Sequence, residues 1–328
     1  MTAYRTIVAK RSLYRTGFKL LVLLVGVSLV SCDSPPATPA PATLASTEDP
    51  AATATLAPTL GPTMEPGNSD RSVSVDGEDR SYVLHIPPGV AESAPVPVVI
   101  LFHEATHTVA QMRSMTDFDD LADQSGIVLV YPRGFGTSWN GGGCCSIPVK
   151  DNVNDVKFVQ QILSDLEPMI TVDTNRIFAA GLGNGAMMAY RLACELSGKF
   201  AGIAAVGGPL FYDQCQPDNP VAVLHVHGLD DPIVPYSGGE SIEGGLPTFP
   251  PVEQGISQWA EWNNCSESPE VNTSGSVTHT VYSGCEASAV VEVYTIEGLE
   301  HDWPSGAGEA SLPATQTIWD FFVAHTRQ

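Results

Sequence analysis

The feature that most constrains the fold is the alternation, from Arg71 onward, of short apolar runs with segments of helical periodicity. Several of the runs are almost wholly apolar, as expected of strands buried on both faces of a parallel sheet. This alternation predicts an α/β class with a mostly parallel, doubly wound sheet and helices on both faces. The predicted strands cover residues 81–86, 96–102, 127–131, 176–180, 201–206, 221–226 and 290–296.

Helices are predicted where apolar residues recur at helical spacing. One such set is Val159, Ile162, Leu163, Leu166 and Ile170, a second segment covers residues 187–196, and a last helix covers 313–326. The stretches 132–143 and 237–251 contain Gly and Pro and predict surface loops. We expect one domain over residues 71–328.

The first 31 residues predict an export signal. They hold five of the 15 basic residues and no acidic residue, and they end in an apolar run over residues 20–30. That run is too short for a bilayer-spanning helix, which needs ~20 apolar residues. A basic segment followed by a short apolar run is typical of a signal peptide, so the protein is expected to leave the cytoplasm.

The apolar run ends in Leu29-Val30-Ser31-Cys32, which resembles a bacterial lipobox. The resemblance implies that Cys32 is lipidated and anchors the protein to a membrane on the extracellular side of a bacterial cell envelope. An ordinary signal peptide with a chance cysteine is the alternative, and it predicts a secreted protein. Residues 32–70 are rich in Pro, Ala and Thr and lack hydrophobic periodicity, which predicts a disordered tether.

The charge balance argues against nucleic acid as a partner. Without the signal segment, 10 basic residues remain against 37 acidic residues. Such an excess of negative charge repels phosphate backbones.

Six cysteines follow Cys32, an even number that favours disulfides in an exported protein. No CxxC motif indicates a zinc knuckle. Local spacing favours the pairs Cys194 with Cys215 and Cys265 with Cys285. The adjacent residues Cys144 and Cys145 stay unassigned.

Residues 176–188 read as a strand, a tight turn and a helix, with small residues flanking the turn. This is the layout of a nucleophile elbow, in which a GxSxG sequence lifts a serine hydroxyl to the top of the sheet. Here the sequence is Gly181-Leu182-Gly183-Asn184-Gly185, so Gly183 stands at the position of the nucleophile.

At this point the chain resembles the secreted polyhydroxybutyrate depolymerase and feruloyl esterase group of α/β-hydrolases, from Arg71 to the C-terminus. Several sequence blocks carry the resemblance together with the elbow. They are Tyr131-Pro132, Ser138-Trp139-Asn140-Gly141-Gly142-Gly143-Cys144-Cys145, Asn154-Asp155-Val156, His227-Gly228-Leu229-Asp230-Asp231-Pro232, Val234-Pro235-Tyr236 and His301-Asp302-Trp303-Pro304.

The resemblance implies an α/β-hydrolase fold and a serine carboxylesterase site with Asp231 as the acid and His301 as the general base. It also implies an oxyanion-hole loop beginning at His103, where Glu104 replaces the glycine of the family. Glu104 brings a negative charge to a place that should stabilise an oxyanion. With Gly183 and Glu104 both altered, we expect the esterase activity to be impaired or absent.

A non-catalytic binding protein for esters or carbohydrates is one alternative. In that case the cleft would still bind a small or polymeric ester of the plant cell-wall type. Asn184, Trp139 and Trp303 would line the cleft, and the two tryptophans would stack on an aromatic or sugar ring of the ligand. No cofactor is expected, and we expect a monomer.

Two further motif matches compete with the esterase interpretation. His103-Glu104-Ala105-Thr106-His107 matches HExxH, which on a helix holds zinc, but it directly follows a predicted strand and lacks a third ligand at a recognisable spacing. Gly181, Gly183 and Ala186 match a dinucleotide fingerprint, yet no acidic residue follows between residues 198 and 212 to bind a ribose.

Overall fold

The computed structural model of the chain describes residues 65–90, 94–266, 268–306 and 312–327. The predicted signal peptide, Cys32 and the tether as far as residue 64 lie outside these residues. The first strand begins at Gly67, inside the range predicted as tether, so the folded part starts four residues earlier than Arg71.

The described strands form one sheet in the order β1-β2-β4-β3-β5-β6-β7-β10-β9-β8. The six strands from β4 to β10 in this order are parallel, and antiparallel strands extend both edges. The strands are β1 (Gly67–Val75), β2 (Glu78–Ile86), β3 (Val96–Phe102), β4 (Val128–Pro132), β5 (Val172–Leu182), β6 (Gly202–Val206), β7 (Ala222–Gly228), β8 (Glu270–Ser274), β9 (Val277–Tyr282) and β10 (Val291–Ile296).

Helices cover both faces of the sheet. They are α1 (Val109–Thr116), α2 (Phe118–Ser125), α3 (Ser146–Lys150), α4 (Asp155–Leu166), α5 (Asn184–Glu195), α6 (Val252–Trp262) and α7 (Ala314–Ala324), with a 3-10 turn at Glu286–Ser288. Apolar residues of α4, α5 and α6 form one core with Val98 and Ile100. Those of α1, α2 and α7 form a second core with the alternate residues Val99 and Leu101. The predicted doubly wound fold class is therefore confirmed.

Three disulfides are present among the described cysteines. The structure pairs Cys194 with Cys215 and Cys265 with Cys285, the two pairs that local spacing favours. The third joins the adjacent residues Cys144 and Cys145, which sequence reasoning left unassigned. Three disulfides fit a protein that folds in an oxidising compartment. Within the ranges given above, no helix combines the length and apolar character that crossing a membrane requires.

Candidate active site

The strand–turn–helix at Gly183 has the geometry of a nucleophile elbow. Gly183 lies between β5 and α5 with φ 52° and ψ −114°, a conformation that favours glycine. Its N–H donates to the Val206 carbonyl across 2.8 Å. A Cβ atom on Gly181 would overlap the backbone of Gly185, and one on Gly185 would overlap the Phe102 carbonyl. Glycines on both sides of the turn thus permit α5 to pack tightly against β3 and β5.

The space beside Gly183 is occupied by the Glu104 side chain. A Cβ atom at Gly183 would overlap the Glu104 Oε2 atom. The Ala105 N–H donates to Glu104 Oε1 across 2.6 Å, and the Asn184 N–H lies 3.2 Å from both carboxylate oxygens. These donors are the residue after the elbow position and a residue of the loop after β3, which is where an oxyanion hole is built. Glu104 therefore fills both the nucleophile space and the oxyanion hole.

Asp231 and His301 come together as the resemblance implies. They follow the carboxyl ends of the neighbouring parallel strands β7 and β10, and His301 Nδ1 lies 2.6 Å from Asp231 Oδ2. The other Asp231 oxygen accepts the backbone N–H groups of Ile233 and Val234 across 2.9 and 2.8 Å. On its far side, His301 Nε2 lies 3.1 Å from Glu104 Oε2. A Glu–His–Asp row thus stands where a Ser–His–Asp triad is expected.

The two carboxylates determine the charge of His301. Burial opposes its protonation, but the hydrogen bonds to Asp231 and Glu104 outweigh burial and raise the pKa of His301 to about 10. Burial also opposes the charge of Asp231, yet hydrogen bonds from His227 and His301 lower the pKa of Asp231. At neutral pH His301 is therefore an imidazolium, which cannot accept a proton as a general base.

A row of buried polar groups supports Asp231 from behind, and sequence reasoning missed it. His227 Nε2 lies 2.8 Å from the Val234 carbonyl and 3.3 Å from Asp231 Oδ2. His225 Nε2 lies 3.0 Å from His227 Nδ1, and the Tyr190 hydroxyl lies 3.0 Å from His225 Nδ1. Burial, and then His227, lower the pKa of His225 well below its ordinary value. The sequence signal for this buried row is the presence of two histidines, His225 and His227, at alternate positions of the otherwise apolar strand β7.

The HExxH sequence does not adopt the geometry that a zinc site of this type needs. His103 and His107 precede α1, which begins at Val109, so they do not share a helical face. Both ring nitrogens of His103 are engaged with the backbone, Nδ1 with the Glu104 carbonyl at 2.8 Å and Nε2 with the Gly134 N–H at 3.0 Å. Across the described part of the chain, no group of three acidic, His or Cys side chains is placed to hold a metal ion.

The two tryptophans predicted to line the cleft lie in the core instead. Trp139 is fully buried, packs against Phe102 and donates its indole N–H to the His103 carbonyl across 2.9 Å. Trp303 packs against Phe118 and donates to the Thr315 hydroxyl. The prediction that they stack on a ligand is wrong, because their ring faces are covered by protein. Trp139 holds the loop that carries Glu104.

Asn184, by contrast, reaches the site through its backbone. Its side chain is buried and spans the loop before α3, accepting the Trp139 N–H and donating to the Trp139 and Cys144 carbonyls. Only its main-chain N–H faces Glu104. The side chain thus fixes the loop, and the backbone supplies the oxyanion donor.

A cavity of about 250 Å³ opens over Glu104 and His301. Its wall combines apolar and polar side chains in similar numbers. The apolar wall residues include Met115, Leu182, Met187, Ile233, Leu246 and Phe249, and the polar ones include His107, Ser146 and Glu243. A cavity with this lining suits a small organic ligand better than an ion.

The strand order, the elbow and the Asp231–His301 pair together define an α/β-hydrolase fold. Comparisons with known proteins agree. Residues 149–254 match a family described as Phospholipase/Carboxylesterase. Feruloyl esterase B of Piromyces equi is 27% identical over 74% of this chain and 44% of its own length. Feruloyl esterase C of Emericella nidulans is 28% identical over 75% of this chain and 84% of its own.

Among solved structures, the acetyl xylan esterase from Aspergillus awamori superposes with a TM-score of 0.56 at 16% identity, covering 78% of this chain and 99% of that one. This likeness concerns the fold. The chain spans less than half the length of the Piromyces relative that it matches. The chain therefore has an α/β-hydrolase fold, and its sequence is similar to those of esterases.

Proposed function

We propose that this protein is an exported, lipid-anchored member of the esterase family that binds an ester or carbohydrate ligand without hydrolysing it by the serine route. The observation that carries the proposal is the position of the Glu104 carboxylate. It accepts from the two backbone N–H groups that would otherwise stabilise an oxyanion.

Three requirements of acyl transfer are unmet together. Gly183 supplies no hydroxyl, and removing the serine of a triad costs ~10⁶-fold in turnover. The oxyanion donors are already paired with a negative charge, so a substrate carbonyl gains nothing from them. The raised pKa of His301 keeps the would-be base protonated at neutral pH. Each change alone would slow ester hydrolysis, and their coincidence in one site favours a role in binding.

The cavity and the relatives indicate the ligand class. Apolar walls formed by residues such as Leu246 and Phe249 can accept an aromatic or short aliphatic acyl group. Relatives named feruloyl esterase and acetyl xylan esterase support an ester of plant cell-wall type as the ligand. Methyl ferulate is therefore the first ligand to test.

The test combines binding and turnover on the same protein. Purified protein carrying Cys32→Ser is titrated with methyl ferulate by calorimetry, and released ferulate is followed by chromatography over a day. We expect saturable binding and no release above the buffer rate. Enzyme-dependent release of ferulate would contradict the loss of ester hydrolysis, and an absence of binding heat would contradict the ligand class.

A matched pair of variants locates the binding. Leu246→Asn changes the apolar wall and should weaken methyl ferulate binding about tenfold, because one buried apolar contact of ~1.4 kcal/mol is lost. Val271→Asn makes a similar change at an exposed position of β8, away from the cavity, and should leave the affinity unchanged. Equal effects of the two variants would place the ligand elsewhere.

The anchor is tested separately in a bacterial host. With Cys32 intact, the protein should incorporate an alkyne-tagged fatty acid and sediment with membranes, since two or more acyl chains give stable membrane binding. Cys32→Ser should abolish the label and release the protein. Absence of label with Cys32 intact would favour the ordinary signal peptide with a chance cysteine, and labelling that survives Cys32→Ser would show that another residue is modified.

A further inference from the structure

The Glu104 carboxylate occupies the place of a nucleophile and faces the cavity. Its Oε2 atom coincides with the space of a side chain at Gly183, and its side chain is 16% exposed. Attack by a carboxylate on an ester carbonyl gives a reactive anhydride, whereas attack on an electrophilic sp³ carbon gives a stable ester. We propose that Glu104 is the nucleophile of a further activity, the hydrolysis of small apolar epoxides in this cavity, beyond the binding of esters.

In the first step, Glu104 Oε2 attacks the less hindered carbon of the epoxide. The new C–O bond joins Glu104 to that carbon, and the C–O bond of the strained ring breaks with its electron pair on oxygen. The His301 imidazolium lies 3.1 Å from Oε2 and gives its proton to the resulting alkoxide. The products are a hydroxyalkyl ester on Glu104 and a neutral His301.

In the second step, the same residues hydrolyse this ester. Esterification removes the negative charge of Glu104, one of the two partners that hold the proton on His301. Neutral His301, oriented by Asp231, takes a proton from water, and the hydroxide attacks Glu104 Cδ. The developing oxyanion at Oε1 is held by the N–H groups of Ala105 and Asn184. Collapse expels the alkoxide, which takes the proton from His301 and leaves Glu104 as a carboxylic acid. This acid passes its proton, the second proton of the attacking water, to His301 and so re-forms the ion pair. The net reaction converts epoxide and water into a vicinal diol.

His107 provides a donor for the epoxide oxygen. Its ring lines the same cavity, and its Nδ1 atom is buried without a hydrogen-bond partner among the described residues. In the neutral tautomer that carries its proton on Nε2, His107 leaves only a lone pair at the buried Nδ1 position. An Nε2–H group at the cavity wall can bind the oxygen of a neutral epoxide. His107 has no role in the serine-esterase mechanism.

The covalent step is tested by trapping. His301→Gln lacks the base for the second step, so incubation with styrene oxide or 1,2-epoxyhexane should increase the protein mass by one epoxide. Peptide mapping should place the adduct on Glu104. Absence of any adduct with both epoxides, in a variant whose melting curve remains cooperative, would overturn the proposal, and so would an adduct on another residue.

Isotope labelling of the unmodified protein gives a second test that needs no variant. With protein in excess over styrene oxide in H₂¹⁸O, a single turnover should place ¹⁸O in the Glu104 carboxylate and leave the diol unlabelled. Label in the diol during the first turnover would show direct attack by water and would overturn the proposal. Absence of diol with both epoxides would also overturn it.

Matched carboxylate variants complete the design. Glu104→Gln should lower diol formation roughly 10⁴-fold or more, because the nucleophile is lost, while Glu270→Gln at an exposed position of β8 should leave it unchanged. Equal rates for the two variants would exclude Glu104. Binding of methyl ferulate is measured independently, so failure of the epoxide reaction and failure of the proposed ester binding are distinguishable.

Discussion

The two halves of the site agree with the pattern of a serine esterase to very different degrees. The half that follows β7 and β10 keeps Asp231 and His301 at hydrogen-bond distance, with Asp231 fixed by two backbone N–H groups. The half that follows β3 and β5 carries Gly183 and Glu104, and its backbone donors bind a side chain of the protein itself. The acid–histidine half is held by its own loops and does not need a serine hydroxyl to form. Its geometry alone is therefore no evidence of esterase activity.

The strongest test of this contrast restores the altered half. Gly183→Ser combined with Glu104→Gly should raise p-nitrophenyl acetate hydrolysis ~10²-fold or more over the unmodified protein, because it returns a hydroxyl, frees the two N–H donors and removes one carboxylate from His301. Each single change should give little. An equally large gain from Gly183→Ser alone would show that Glu104 is not the block.

The retained half is probed through the pH dependence of stability. The pKa of His301 is raised from 6.5 to about 10, so its bound proton stabilises the fold fully below about pH 6.5, and this contribution is lost as the pH rises through about 10. His301→Gln should lower the free energy of unfolding by a few kcal/mol near pH 6, with the difference narrowing toward about pH 10. Urea unfolding at several pH values measures it, and a constant difference would disprove the Glu–His–Asp ion pair.

Coupling between Gly183 and Glu104 is the third expected effect. A serine side chain at position 183 would overlap Glu104, and such overpacking typically costs about 1–3 kcal/mol. Gly183→Ser should therefore lower the melting temperature, and Glu104→Gly should relieve most of this cost. A double-mutant cycle on unfolding free energies measures the coupling. Additive effects would mean that the two side chains do not compete for space.

The smallest expected effect separates the core from the cavity. Trp303→Phe removes the hydrogen bond to Thr315 and should cost about 1 kcal/mol of stability, while methyl ferulate affinity stays unchanged. Phe249→Leu, in the cavity wall, should weaken binding instead. Thermal melts measure the stability of both variants, and calorimetry measures their affinity for methyl ferulate. Weaker binding by Trp303→Phe would show that Trp303 contacts the ligand.

Sequence patterns predicted the centre of the fold better than its edges. All seven predicted strands exist, because strands buried on both faces leave continuous apolar runs. The missed strands β1 and β8 are the two edge strands of the sheet, and β9 lies next to β8. Every residue of β8 is exposed, so no apolar pattern marks it. Of the helices, α1, α2, α3 and α6 went unpredicted. The first three have at most eight residues, and the eleven-residue α6 begins directly after a loop rich in Gly and Pro.

The residues of the site could be predicted from the sequence, but the contacts between them could not. Sequence blocks located Gly183, Asp231, His301 and Glu104, and the structure brings all four together. What the sequence could not give is that Glu104 turns inward to pair with His301 and with the backbone, because that depends on the direction of one side chain. The same limit misplaced Trp139 and Trp303, since an aromatic residue beside a motif can face either the cleft or the core.

The overlap of Glu104 with the space beside Gly183 also bears on the history of the chain. A lineage could return to serine catalysis only by changing both positions. If serine replaces Gly183 first, its side chain overlaps Glu104. If Glu104 is lost first, the site has neither a serine hydroxyl nor a carboxylate. A serine triad at this site therefore requires two substitutions, at Gly183 and at Glu104, because neither alone supplies both the hydroxyl and the space for it.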